Sequence, residues 1–195
     1  MENKNEQNKK MTAQESISLI SEMMNNSRRF VLQNSAKHFT LWGALLIVMS
    51  VLIYELWHIS GNPAWNLLWF AMPVIGFPIV RILERKDSDV PQNMLNKQIG
   101  LIWLAYCVFA LSISIIAMLT VPKNLSLIIV VVFGFAECIS GILLKNWPVI
   151  ISGFILGVGG AVVASLVQSE AQLLIFTFGG IILVLTGLVV KLQYK

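Results

Sequence analysis

The 195-residue chain is 56% hydrophobic and 12% charged, with a mean hydropathy of +0.76 and a net charge of +4. A soluble domain carries about 25% charged residues, so this chain lacks the polar side chains to cover a globular surface, and lipid must solvate much of it. The basic excess is no nucleic-acid face, because Lys and Arg sit in the N-terminal segment and short connections without interleaved aromatics. It reads as a topology signal, and no direct nucleic-acid partner is expected.

Residues 1–38 form a polar cytoplasmic segment ahead of the bundle. Its first ten residues, rich in Asn, Lys, Glu and Gln, are expected to be disordered. The segment lacks the layout of a cleavable leader, so the first span is expected to stay as an anchor. Thr12 and Glu15 have capping-box spacing, which opens a helix over about 12–36. Ile17, Ile20, Met24 and Val31 recur on one face, with Glu22, Asn25, Asn26 and Arg29 elsewhere. Such an amphipathic helix either lies on the anionic cytoplasmic surface, Arg28, Arg29 and Lys37 toward headgroups and Met23, Met24 and Phe30 in the interface, or docks on a cytoplasmic protein.

Crossing ~30 Å of hydrocarbon takes about 20 apolar residues in a helix. Six stretches qualify: 39–57, 65–82, 99–120, 125–144, 148–167 and 173–190. The expected fold is an all-α transmembrane bundle over 39–195. Pro73 and Pro78 are expected to kink the second span. Four connections are short and carry Pro, Gly, Asn or charge, while 84–98, with Arg85, Lys86, Asp87, Asp89 and Pro91, reads as a solvated loop. With the N-terminus inside, Lys4, Lys9, Lys10, Arg28, Arg29, Lys37, Arg81, Arg85, Lys86, Lys97, Lys145, Lys191 and Lys195 are all cytoplasmic, and Lys123 alone lies outside. That asymmetry fixes both termini on the cytoplasmic side of the inner membrane. Trp42, Trp103 and Trp147 fall at inner boundaries, Trp57 and Trp65 at outer ones.

Glu137 is the one acidic residue near the middle of a span. A charge there costs about 2.5 to 3.5 kcal/mol on insertion scales, so the carboxyl is expected to face the bundle, protonated or paired. Gly134, Ser140 and Gly141 lie around it on the fourth span, a small-residue stripe where another helix approaches. Depth matching places Tyr106, Cys107, Gly153, Gly157 and Ser50 at a similar level, with Tyr106 the expected hydrogen-bond partner. Glu137 is read either as a neutral residue that glues helices together or as a proton- or cation-linked site. Glu55 and His58, one turn apart at the outer end of the first span, are expected to form a solvated pair.

The fifth span carries Gly153, Gly157, Gly160, Ala161 and Ala164, and the sixth Gly179, Gly180, Thr186 and Gly187, so spans four to six are expected to form a tight group. Gly134, Ser140, Gly141 and Lys145 recur 46 residues later as Gly180, Thr186, Gly187 and Lys191, which suggests that the third–fourth and fifth–sixth hairpins are parallel repeats. The glycines at 157–160 are no nucleotide loop, since neither a preceding strand nor the P-loop Lys exists. His38 and His58 lie about 30 Å apart along one helix at 1.5 Å per residue, too far to share a metal within one chain. Cys107 and Cys138 fall in apolar stretches and imply neither disulfide nor metal site. No nucleophile with a base and no paired acids are seen, so neither enzyme chemistry nor a cofactor is expected.

The polar N-terminal helix with Ile20, Met23 and Met24, the entry Phe39-Thr40-Leu41-Trp42-Gly43, the run from Ser140 to Gly153 and the final Gly187-Leu188-Val189-Val190-Lys191 together resemble a group of small bacterial six-span inner-membrane proteins of unassigned function. The likeness covers most of the chain through apolar motifs. It departs at Thr186, where that group has Pro, so the last span ends less sharply here. The resemblance implies no catalytic residues and a link to a small winged-helix transcription regulator. The reading is therefore a non-enzymatic partner-binding or sensing protein using the N-terminal helix and the 84–98 loop; the rival is a small transporter or channel subunit working through Glu137. Assembly with further copies of itself stays open.

The span count makes a direct prediction. With single cysteines in intact cells, a membrane-impermeant maleimide should label Lys123→Cys and not Lys145→Cys; labelling of both would refute six spans.

Overall fold

The computed structural model of the chain describes residues 13–85, 94–119, 124–167 and 169–194. Thr12 of the expected capping box, the first ten residues and the centre of the 84–98 loop lie outside them. Helix α1 spans Ala13–Ser60, followed by a 3-10 segment Pro63–Phe70 that runs into α2, Ala71–Arg85. Then come α3, Met94–Leu119; α4, Leu125–Leu144; α5, Trp147–Phe154; a π turn, Ile155–Gly159; α6, Gly160–Leu166; a 3-10 turn, Ser169–Gln172; and α7, Leu173–Gln193. No strand occurs among the described residues, and six helical stretches are long and apolar enough to cross a membrane. The chain has the architecture of a multi-pass membrane protein.

Two elements depart from sequence expectation. The N-terminal helix does not stop before the first span: α1 is continuous over 48 residues, about 72 Å at 1.5 Å per residue. The sequence between Arg28 and Trp42 holds no Pro to break it. Val31, Leu32, Ala36 and Phe39 form a buried face that packs with Val190 and Tyr194 at the far end of α7. That packing overrides the weak helix propensity of Asn34 and Ser35 and carries the helix straight through. In the second span Pro78 lies within α2, and the change from 3-10 to α geometry falls at Phe70/Ala71, two residues before Pro73.

The core is organised as two antiparallel helix pairs. The first is α1 with α7, the largest interface in the molecule; the second is α4 with α5, the π turn and α6. Of the α7 glycines, Gly180 and Gly187 face α1, while Gly179 lies against Leu156 of the π turn, and Leu144, Val149 and Leu156 share one buried core with Leu183 and Val190. Helix α2 lies against α1, and α3 lies mainly against α4; both are largely exposed. Helices in lipid gain little from burying apolar surface against one another, so close backbone approach has to supply the attraction. A Cβ on Gly43 would lie 2.7 Å from Gly180 O, and one on Gly180 would lie 2.6 Å from Gly43 O. In the other pair a Cβ on Gly134 would lie 2.5 Å from Gly153 O, and one on Gly153 would lie 2.8 Å from Gly134 O.

These two seams match position by position. Adding 46 to α4 numbers gives α7, as the sequence pattern anticipates, and subtracting 110 from α5 numbers gives α1: Gly141 meets Ile150 N as Gly187 meets Thr40 N, and Gly134 meets Gly157 N as Gly180 meets Ile47 N. Ser140 Oγ donates to Ala136 O as Thr186 Oγ1 donates to Ile182 O. Leu144 and Val190, and Leu46 and Leu156, are buried alike. The repeated unit is therefore a helix pair, α4·α5 and α7·α1, in place of the expected third–fourth and fifth–sixth hairpins.

The seams predict a sharp contrast between glycines. Gly180→Leu should destabilise the detergent-solubilised protein by about 1–3 kcal/mol through overpacking. Gly100→Ala, where a Cβ meets nothing within 4 Å, should leave the thermal transition unchanged or raise it.

Candidate functional site

Glu137 is fully buried, 0% exposed, at the α4·α5 seam. Its position follows from the glycines around it. Gly134, one turn before, lets α5 come so near that a Cβ there would sit 2.3 Å from Gly157 Cα. At that approach a serine is long enough to bridge the helices: Ser152 Oγ lies 2.6 Å from Glu137 Oε1 and 2.9 Å from Val149 O of its own helix. The second carboxyl oxygen, Oε2, is buried with no hydrogen-bond partner. Cys138, next along α4, donates through Sγ to Ile150 O at 3.4 Å.

Tyr106 is not the partner of Glu137. Its ring forms an edge-to-face cluster with Trp103 and Phe133, at centroid distances of 5.7 and 5.3 Å, which joins α3 to α4. Rings fill the α3·α4 contact where glycines line the α4·α5 seam, and it is the short Ser152 side chain across that glycine seam that meets the acid. Ser140 is buried but donates to Ala136 O one turn back, and so satisfies its own helix. Of the expected packing glycines, Gly134, Gly141, Gly153 and Gly157 line the α4·α5 seam, Gly160 faces Val130, and Gly180 and Gly187 face α1. Ser50, matched in depth to Glu137, belongs to the other seam: its Oγ lies 2.9 Å from Thr177 Oγ1 of α7.

The ends of the bundle carry polar ties in which Asn124 and Asn146, residues of the short connections, meet glutamines of neighbouring helices. The buried Asn146 accepts from Val149 N, capping α5, and donates through Nδ2 to Gln193 Oε1 at 3.0 Å. At the other end Gln172 Nε2 reaches Asn124 Oδ1 at 2.7 Å and Val167 O at 2.9 Å. Gln33 Nε2 donates to Tyr194 O at 2.8 Å, tying α1 to the end of α7. His58 Nδ1 lies 3.4 Å from Glu170 Oε1, and its ring stacks on Tyr54. His58 is thus engaged by the turn before α7, because the α1·α7 seam brings that turn beside it, in place of the Glu55 pairing expected from sequence.

Chemically, the seam offers one carboxyl and one hydroxyl in an apolar setting. Among the described residues no group of three His, Cys, Asp or Glu comes together to hold a metal. No family profile, no curated protein and no solved structure matches the chain.

Ser152→Ala should lower stability by about 1–3 kcal/mol, since it leaves a buried carboxyl without its hydrogen bond. Tyr106→Phe should change it by less than about 0.5 kcal/mol, as measured by thermal unfolding in detergent. Equal losses would mean that the carboxyl is held from α3 after all.

Proposed function

We propose that the chain is a non-enzymatic, membrane-embedded partner-binding or sensing protein of the bacterial inner membrane, with both ends cytoplasmic and the free end of α1 as its docking element. The observation that carries this reading is the exposed apolar stripe on a helix continuous with the bundle. Ile17, Ile20 and Met23 are 68%, 58% and 64% exposed, and α1 runs on without interruption into the α1·α7 seam. Apolar residues at helical spacing outside the bundle suit the groove of a cytoplasmic protein, where an amphipathic helix lays its apolar face. A helix lying flat on headgroups is best served by a break before the first span, and α1 is one continuous helix over Ala13–Ser60.

The asymmetry of Lys and Arg supports the cytoplasmic placement of this end. The resemblance to small bacterial six-span proteins, with its implied link to a winged-helix regulator, is consistent with a soluble regulatory partner. The rival reading, a transporter or channel subunit working through Glu137, calls for a water-accessible route to that carboxyl; its complete burial weighs against it.

A photo-crosslinking amino acid at Ile20, irradiated in intact cells, should yield a discrete adduct with a cytoplasmic protein. Replacing Ile17 and Met24 by Ser should abolish that adduct and leave the melting temperature of the bundle unchanged. Adducts with phospholipid alone would overturn the proposal in favour of a surface-lying helix.

A further inference from the structure

The two matching seams hold a comparison inside one molecule. Position 137 of α4 corresponds to Leu183 of α7, and position 152 of α5 corresponds to Trp42 of α1. Leu183 is as deeply buried as Glu137 and packs at Gly43, where a Cβ would come within 2.9 Å of it. The same glycine seam is therefore built with an aliphatic residue in one copy and a carboxylic acid in the other. Packing does not require the acid.

The hydrogen-bond geometry around Glu137 suits a neutral acid better than a carboxylate. A serine hydroxyl has one proton to give, yet Ser152 Oγ lies within hydrogen-bond distance of both Glu137 Oε1 and Val149 O. A carbonyl and a carboxylate only accept, so with an ionised acid the one Ser152 proton would be shared between two acceptors; with a neutral acid Glu137 gives its proton to Ser152 Oγ, Ser152 gives its own to Val149 O, and each contact is a full hydrogen bond. Oε2 then is the carbonyl oxygen of a neutral acid, and it alone goes without a partner. Left as a carboxylate, the group would have at most one donor for two buried oxygens. No second ion is at hand: α5 and α6 carry no ionisable side chain, nor does the buried stretch 39–53 of α1. From α3, Tyr106 packs on Phe133, and neither it nor Cys107 has a hydrogen bond to the acid; Cys138 on α4 turns to Ile150 O. One carboxyl and one hydroxyl are also too few oxygens for a hard metal cation, which takes about six.

We infer that Glu137 with Ser152 is a proton-binding site, loaded in this structure and sealed by the α4·α5 seam, so that release of the proton to water requires the two helices to part. The site is then a latch: the neutral acid fits the closed seam, and the carboxylate holds it open to water. This inference is independent of the docking role of α1.

Three measurements on the full chain in nanodiscs test it. Infrared spectra of the unaltered protein at neutral pH should show a carboxylic-acid carbonyl band that is missing in Glu137→Gln; absence of that band would overturn the proposal. Glu137→Leu, which copies the sister seam, should fold and melt at or above the temperature of the unaltered protein. A lower melting temperature for Glu137→Leu that Glu137→Gln does not share would make the acid a mere interhelical tie and overturn the proposal as well. In a Cys107→Ser background, a small thiol reagent at alkaline pH should label Cys138 about tenfold faster than in the same background with Glu137→Leu, because labelling follows the population of the open seam. Equal rates would show that the seam stays shut when the proton leaves, and would overturn the latch.

Discussion

The contact on which the rest of the molecule depends is backbone against backbone at the glycine pairs. Lipid tails are as apolar as the side chains of the spans, so a helix gains little by exchanging lipid for another apolar helix. What distinguishes α1·α7 and α4·α5 from α2 and α3 is the distance that Gly43 with Gly180, and Gly134 with Gly153, allow. Among the described residues the buried polar side chains lie in or beside those two seams: Ser50 and Thr186 in one, Glu137, Ser140 and Ser152 in the other, and Asn146 at the turn that joins α4 to α5. That turn is sharp because Lys145 adopts the left-handed conformation and Asn146 N returns to Gly141 O, which closes the end of α4.

Much of this was legible in the chain because lipid imposes a strict length and polarity on anything that crosses it. The expected fourth span, 125–144, coincides with α4, and the expected inward stripe at Gly134, Glu137 and Gly141 is buried. The unbroken passage of α1 was not legible, because the residues that hold Val31, Leu32 and Ala36 in a helix sit some 150 positions away, around Val190. Asn34 and Ser35 look locally like a boundary, and only the tertiary partner removes it.

The site shows a similar division. Depth along the membrane normal follows from counting residues, and it placed the acid, Tyr106 and the fifth-span glycines at one level. Which of several side chains at that level meets the acid depends on how near each helix comes, and glycines decide that more strongly than depth does. A signal was present: Ser152 immediately precedes Gly153, so the side chain beside the closest backbone approach is a hydroxyl. Asn124 and Asn146 read in the sequence as helix punctuation, which hides their second role, and nothing local marks Gln172 and Gln193 as their partners. The two amide pairs link the α4·α5 pair to α7 at both ends, and between them Leu144, Val149 and Leu156 share one buried core with Leu183 and Val190.

The length of α1 has a mechanical consequence. Long helices curve gently and break sharply only at specific residues such as Pro, and α1 has no Pro between Ala13 and Ser60. With the turn before it, α7 grips this helix from about Val31 to His58, and about 18 residues extend past that grip toward Ala13, roughly 27 Å at 1.5 Å per residue. A tilt of about 5° where the grip ends becomes a sweep of roughly 2 Å at the Ala13 end, so the projecting segment moves as a short stiff lever whose fulcrum is the α1·α7 seam.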